Sequence, residues 1–100
     1  MTVREIVDDL GLRVCCGEGN LTKEVTGGYS GDLLSDVMAN SKAGNVWITM
    51  QIHVNIVAVA VLKEISAIIL VNGRQPAEET VRKAIEENIP ILQSQLPAFE

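Results

Sequence analysis

The chain has 100 residues, of which 47% are hydrophobic but only 3% aromatic, and its formal net charge is −5. This length fits one domain, residues 1–100, whose core needs neither metal ions nor disulfides to be stable. The eight lysine and arginine residues are scattered along the chain, so no basic surface is available to neutralise phosphates and we expect no nucleic-acid partner.

The membrane is also not an expected environment. The first residues carry no apolar run behind a basic region, which predicts no signal peptide. The longest apolar stretch, Ile52 to Leu62, is interrupted by His53 and Asn55, and it is much shorter than the ~20 residues that cross a bilayer. We therefore expect a cytoplasmic protein with no membrane contact.

The amino-terminal segment has clear helix signals. Thr2 and Glu5 have the spacing of a capping box, in which each side chain bonds to the backbone at the other residue. An apolar stripe then runs to Leu10, and Gly11 stands where a left-handed cap ends a helix. These signals predict a helix from Thr2 to about Leu10, followed by a short strand over residues 12–16.

The two cysteines, Cys15 and Cys16, are neighbours in this strand. A disulfide between adjacent residues strains the peptide that joins them, and consecutive strand side chains point to opposite faces. We therefore predict one thiol in the core and one outside it. Metal sites take typically four Cys or His ligands, which a chain with one histidine does not supply, so we predict no metal and no cofactor.

A glycine-rich turn is the most distinctive stretch. Residues 21–26 read as an extended segment that enters a turn containing Gly27, Gly28 and Gly31. Glycine permits backbone angles and close approaches that other residues do not. The turn is predicted either to allow tight packing or to contact a ligand or partner.

An amphipathic helix is predicted directly after the turn. Asp32 is the expected N-cap, with Ser30 as the rival, because both side chains can accept a hydrogen bond from a free helix amide. The helix is expected to end between Asn40 and Gly44.

The rest of the chain alternates strands and helices, which favours a parallel sheet with helical crossovers. The predicted fold is a three-layer α/β domain with a mostly parallel sheet of about four to five strands flanked by helices. The predicted elements are a strand at 46–49, a helix at about 51–63, a strand at 65–71, a turn at 72–73, a helix from Pro76 to Asn88, a strand at 89–92 and a frayed tail at 93–100. Pro90 confines the strand at 89–92 to an edge of the sheet or occupies its first position.

A ligand site is predicted where the glycine turn meets the helix. Backbone amides at a helix N-terminus hold anions, and open α/β sheets bind ligands beyond the carboxyl ends of their strands. We expect a small anionic ligand or a protein partner here. The candidate residues are Thr26, Gly27, Gly28, Tyr29, Asp32, Asn72 and Gly73.

A homodimer surface is predicted around the apolar helix at 51–63. A helix that is apolar almost all round is buried, either within its own chain or against a second copy. His53 has no evident catalytic partner, so we interpret it as a structural or capping residue, name no catalytic residues and predict that the protein is not an enzyme. The candidate interface residues are Trp47, His53, Ile56 and Ala60.

Several segments together resemble a stand-alone DRTGG domain, over about Val3 to Ser94. Two positions of the five-residue signature differ here, since Glu24 and Val25 replace Asp and Arg, and an arginine that could pair with an anion is absent. The matching segments are Thr26-Gly27-Gly28, Asp32-Leu33-Leu34-Ser35-Asp36-Val37-Met38-Ala39, Trp47-Ile48-Thr49, Gln51, His53 and Asn55-Ile56-Val57-Ala58-Val59-Ala60.

The resemblance implies a fold similar to the amino-terminal domain of HPr kinase. It also implies a regulatory or dimer-forming role, as such domains have beside nucleotide-binding CBS domains in some pyrophosphatases and within some phosphotransacetylases. Free-standing relatives occur near genes for iron hydrogenases. The predicted function is a non-catalytic regulatory or ligand-sensing homodimeric module for a nucleotide or anion, and the alternative is an accessory protein-interaction module of a redox, iron-sulfur or hydrogenase system.

Overall fold

A five-stranded sheet forms the centre of the molecule, for which a computed structural model describes residues 1–96. The strand order is β1-β5-β4-β3-β2. Neighbouring strands from β2 to β5 run parallel, whereas β1 is antiparallel to β5. The strands are β1 (Arg13–Cys16), β2 (Gly27–Ser30), β3 (Asn45–Thr49), β4 (Ala67–Leu70) and β5 (Ile91–Gln93).

Four α-helices cover the two faces of this sheet. Helices α2, α3 and α4 pack in one core cluster with Trp47, and α1 packs in a second cluster with Val46. The prediction of a three-layer, mostly parallel α/β fold is confirmed. The helices are α1 (Val3–Leu10), α2 (Leu34–Asn40), α3 (Asn55–Leu62) and α4 (Glu78–Glu87), and a short 3-10 turn occupies Glu18–Asn20.

Helix ends follow the local signals where no tertiary contact competes. The capping box at Thr2 and Glu5 forms as predicted, and Gly11 caps α1 at a φ of 64°. Helix α3 begins at Asn55 rather than Gln51, because the Ile52 carbonyl is used elsewhere. The Ile52 carbonyl accepts hydrogen bonds from the Ala77 amide and from the Thr80 hydroxyl of α4.

The segment from Gln93 to Leu96 makes tertiary contacts that the sequence does not predict. Gln93 belongs to β5 and is buried, which corrects the prediction of a frayed tail from residue 93. The Ser94 amide donates to the Leu70 carbonyl at 2.8 Å, and the Asn72 amide donates to the Leu96 carbonyl at 3.0 Å. The predicted tail at 97–100 lies outside the described residues, and one domain over residues 1–100 stays a prediction.

No helix within residues 1–96 is long and apolar enough to cross a membrane.

Candidate functional site

A crevice of about 200 Å³ lies at the carboxyl ends of β2, β3 and β4. In an open α/β sheet, ligands usually bind at the carboxyl ends of the strands, because the loops that leave parallel strands meet there. Two of the predicted ligand residues, Asp32 and Asn72, line it. The full lining is Ser30, Asp32, Ile48, Thr49, Met50, Val71 and Asn72.

The Asp32 carboxylate organises the crevice. Its Oδ1 accepts hydrogen bonds from the Thr49 hydroxyl and from the Met50 amide, both at 2.7 Å. The Asp32 carbonyl accepts a third bond from Gln51 Nε2 at 3.0 Å. These contacts join the loop after β2 to the loop after β3, so the carboxylate is positioned before any ligand arrives.

The same contacts overturn the predicted helix cap. Helix α2 begins after Leu33, an N-cap residue without a side-chain hydrogen bond, and neither Asp32 nor Ser30 serves as the cap. Asp32 cannot do so while its carboxylate bonds to β3 and the loop after it. Tertiary hydrogen bonds have therefore replaced a local one.

The predicted glycine turn is a strand. Gly27 and Gly28 belong to β2, which pairs with β3 in regular parallel register and forms one edge of the sheet. Thr26 stands at the opposite end of β2 from the crevice, where its hydroxyl donates to the Ala43 carbonyl at 2.9 Å. These three predicted site residues therefore do not join Asp32 and Asn72.

Tyr29 also lies away from the crevice. Its side chain packs in the cluster of α2, α3 and α4. The Tyr29 hydroxyl donates a short hydrogen bond to Asp36 Oδ2, and Asn40 Nδ2 donates to Asp36 Oδ1 at 2.8 Å. The hydrogen bond to Asp36, with smaller effects of burial and of the Asp36 charge, raises the pKa of Tyr29. Tyr29 thus ties β2 to α2.

Asn72 and Gly73 form the left-handed turn after β4 that the sequence predicts. Their φ angles are 57° and 67°. Asn72 Nδ2 lies 3.0 Å from Met50 Sδ on the crevice wall. Gly73 instead faces the carboxy-terminal segment, where an added Cβ would lie 2.7 Å from Gln95 Oε1. Of this pair, only Asn72 can contact a ligand in the crevice.

Three of the four predicted interface residues are unavailable to a partner. Trp47, Ile56 and Ala60 are 0% exposed, because the sheet and its helices enclose them within their own chain. The fourth, His53, is exposed, and its Nδ1 accepts the Asn55 amide at the start of α3 at 3.2 Å. A homodimer surface must therefore be sought elsewhere.

The cysteines depart from strand alternation. The register of β1 against β5 shifts between Val14 and Cys16, leaving Cys15 as an extra residue. Cys16 is buried and Cys15 is half-buried, and both pack on the same side of the sheet. Burial raises the pKa of both thiols, and the neighbouring Cys16 adds to the effect at Cys15. The expected opposite placement is thus corrected, because the bulge turns both side chains one way.

Two other cavities among the described residues are larger than the crevice. One of about 480 Å³ opens at the amino ends of β4 and β5, where burial lowers the pKa of Lys23 and its Nζ donates to the Asn88 carbonyl. Another of about 240 Å³ lies beside Arg13 and Cys15. Within residues 1–96, no group of three or more His, Cys, Asp or Glu side chains is arranged to hold a metal.

Sequence reasoning missed Ser30, Thr49 and Met50 as crevice residues. The available signal was their position, because each ends or directly follows a strand of the parallel sheet. The sequence alone does not show which strand ends are neighbours.

Comparison with known proteins supports the fold. No family model matches the sequence, and no curated protein matches it. A similar solved structure is that of the CBS and DRTGG domains of the regulatory region of Clostridium perfringens pyrophosphatase, complexed with the activator diadenosine tetraphosphate. The TM-score is 0.77 at 17% sequence identity, over 98% of this chain and 43% of that chain. The chain has a DRTGG-like fold and spans less than half of that regulatory region.

Proposed function

We propose that this protein is a non-catalytic, ligand-sensing regulatory module that works as a homodimer in the cytoplasm. The observation that carries the ligand-sensing part is the prepositioned Asp32 carboxylate in the crevice. A binding site whose polar groups are already fixed does not lose further conformational entropy when a ligand arrives. The similar pyrophosphatase region, which regulates an enzyme and is complexed with an activator, supports a regulatory role.

The charge of the crevice narrows the ligand class. Among the described residues that line it, Asp32 alone is ionisable. A lone carboxylate repels phosphate and accepts hydrogen bonds from hydroxyl or amino groups, as acidic residues at such strand ends do with ribose. We therefore place the nucleoside part of a nucleotide in the crevice, with its phosphates outside. The activator in the pyrophosphatase complex is a nucleotide of this kind.

A non-catalytic role agrees with how the candidate groups are used. Asp32 Oδ1 already accepts two hydrogen bonds from its own chain, and His53 bonds to the backbone at the start of α3. An enzyme requires a base or nucleophile directed at the substrate. The described contacts use Asp32 Oδ1 and His53 Nδ1 within the protein, and Asp32 Oδ2 is the oxygen that can accept a hydrogen bond from a ligand.

A second function, an accessory protein-interaction module of a redox or iron-sulfur system, is favoured by the outer surface of α3. Val61 is 42% exposed and Leu62 is 70% exposed, and α3 carries no charged residue. Contiguous exposed apolar surface marks protein contacts. The similarity to the amino-terminal domain of HPr kinase stays a prediction.

The test is a thermal-shift titration of the purified protein with adenosine, ATP, diadenosine tetraphosphate and inorganic phosphate. A ligand at 100 times its Kd adds about 2.7 kcal/mol of stability. We expect stabilisation by the adenosine-containing compounds and none by phosphate. Asp32→Asn should abolish the shift, and Glu18→Gln, on the exposed 3-10 turn, is the matched control that should keep it.

Two results would contradict the sensing proposal. One is the absence of any shift with the adenosine compounds. The other is an equal shift in Asp32→Asn and in the wild type, each measured against its own melting temperature without ligand. A shift with inorganic phosphate alone would move the site away from Asp32 and return the ligand to the anion class.

A further inference from the structure

The β2 edge of the sheet is open from Gly28 to Ser30, whereas the segment before β2 pairs with the amino terminus through Thr2 and Glu24. Gly27, Gly28 and Ser30 are exposed, and Tyr29 is half-buried. Edge strands are usually guarded by charges, prolines or bulges, because their free amides and carbonyls pair readily with another strand. Strand β2 has none of these features: its four residues are uncharged, none is proline, and its register with β3 is regular.

The free hydrogen-bonding groups on this edge can be assigned. The Gly31 amide donates to the Ile48 carbonyl of β3 at 3.0 Å. Because backbone groups alternate in direction along a strand, the Tyr29 amide also faces β3. The amides and carbonyls of Gly28 and Ser30 consequently face away from the sheet, so that two residues with outward groups flank one without.

Gly28 is not required by its own chain. Its φ lies outside the left-handed region, and an added Cβ would meet Val46 Cγ2 at an ordinary 3.7 Å. By contrast, Gly44 has a φ of 82° and an added Cβ there would lie 2.7 Å from Thr26 Oγ1. Glycine in a strand is found at bulges, at bends and where a ligand or another backbone approaches closely, and the register of Gly28 with β3 is regular.

We propose that the β2 edge pairs antiparallel with the β2 edge of a second copy, joining the two sheets into one. This names the interface of the homodimer proposed above and rests on that proposal. A two-fold axis through Tyr29 sets Gly28 opposite Ser30 of the second copy, and Ser30 opposite Gly28 of the second copy. This register uses every outward amide and carbonyl, giving about four hydrogen bonds.

The second copy is favoured over other occupants because the edge complements itself. Identical surfaces meet in a two-fold dimer, so like charges at the contact oppose association. Each copy carries a net charge of −5, and β2 contributes none of it. Leu33 and Met38, exposed by 67% and 37% at α2, add apolar surface on the helix that follows β2 in the chain.

The first test removes the outward amide of Ser30. Proline is tolerated on an edge strand where its missing amide faces solvent, so Ser30→Pro should fold. Ser30→Ala is the matched control because it keeps the amide. By size-exclusion light scattering over a concentration series, we expect a dimer for wild type and Ser30→Ala and a monomer for Ser30→Pro. A wild-type monomer at every concentration would overturn the proposal.

A second variant tests the same pairing if Ser30→Pro does not fold. Tyr29 faces its own copy across the proposed axis, where Cβ atoms of opposed strand residues are about 4.5–5.5 Å apart. Tyr29→Cys should therefore form a disulfide-linked dimer under mild oxidation, whereas Leu62→Cys on α3 and the wild type should not. Equal cross-linking of all three would contradict the pairing.

The rival surface and the sensing proposal are separated by two further measurements. Leu62→Glu places a charge on the exposed face of α3. We expect it to remain a dimer, and its dissociation alongside an intact Ser30→Pro dimer would assign the interface to α3 instead. The ligand-induced change in melting temperature is measured on the same samples. A change caused by a nucleoside in a monomeric wild type would overturn the edge pairing while leaving ligand sensing intact.

Discussion

The two edge strands of the sheet differ in how they end it. Strand β1 is antiparallel to its neighbour, has a register shift at Cys15, and carries the exposed charge of Arg13. Strand β2 is parallel and regular in register, and its residues are uncharged. The first edge has the features that prevent further pairing, and the second lacks them.

Under the proposed pairing, the β1 edge is the limit of the sheet and the β2 edge is the contact surface. The open edge is held by its pairing with β3 and by two side-chain hydrogen bonds: Trp47 Nε1 donates to the Gly31 carbonyl at 2.8 Å, and the Tyr29 hydroxyl donates to Asp36. Substitutions that remove contacts of β2, leave them unchanged or alter the hydrogen bond from Tyr29 to Asp36 therefore test how much each contact stabilises this edge.

The largest effect is expected from Trp47→Ala. Trp47 is 0% exposed, and its loss leaves a cavity under α2 and an unpaired Gly31 carbonyl. Burial losses of this size cost about 3–5 kcal/mol. Urea unfolding measures the change. Trp47→Phe is the control, since it keeps most of the packing without the indole N–H, and an equal loss in both variants would contradict the packing account.

A contrast between two glycines should give an intermediate effect. Gly44→Ala places a side chain at a φ of 82° and against Thr26. A left-handed conformation costs an ordinary residue about 1–2 kcal/mol, so we expect at least that loss in urea unfolding. Gly28→Ala should leave stability unchanged or raise it by up to about 1 kcal/mol, because alanine loses less entropy on folding. Equal losses at both positions would show that the β2 edge is strained after all.

The smallest effect concerns pH. The Asp36 hydrogen bond raises the pKa of Tyr29, so the folded protein holds the phenol proton more tightly than the unfolded chain. That contribution is complete below the unfolded pKa of about 10 and is lost as pH rises through the higher folded value. Denaturant midpoints of the wild type should consequently fall more steeply with alkaline pH than those of Tyr29→Phe.

The Tyr29 comparison has its own control. Asn40→Ala removes a neighbour that lowers the pKa of Tyr29, without removing the phenol. Its midpoints should still fall with alkaline pH. Parallel pH dependence in the wild type and Tyr29→Phe would mean that the Asp36 contact is not maintained in solution.

Much of the fold could be predicted because its signals are local. Thr2 and Glu5 sit at capping-box spacing, and Asn88 ends α4 in the left-handed conformation. The uninterrupted apolar run of β4 identified a strand buried on both faces. These features depend on residues a few positions apart, which the sequence displays directly.

The candidate site was only partly predictable. Asp32 and Asn72 were named from their places after extended segments, and both line the crevice. Thr26 to Tyr29 are predicted to join it because glycines favour a turn, whereas pairing with β3 makes Gly27 to Ser30 a strand whose other end reaches the crevice. Glycine allows a turn but does not require one, and its local preference is weak enough for sheet pairing to decide.

The sequence by itself determined the alternation of strands and helices, the helix ends that are capped locally, and the apolar character of the core. The tertiary structure decided which strands became edges, where the Asp32 carboxylate bonds, and which apolar residues stay exposed. Helix caps and periodicity arise from neighbours along the chain. Strand order and carboxylate partners arise between residues distant in sequence, and no local pattern specifies which of them meet.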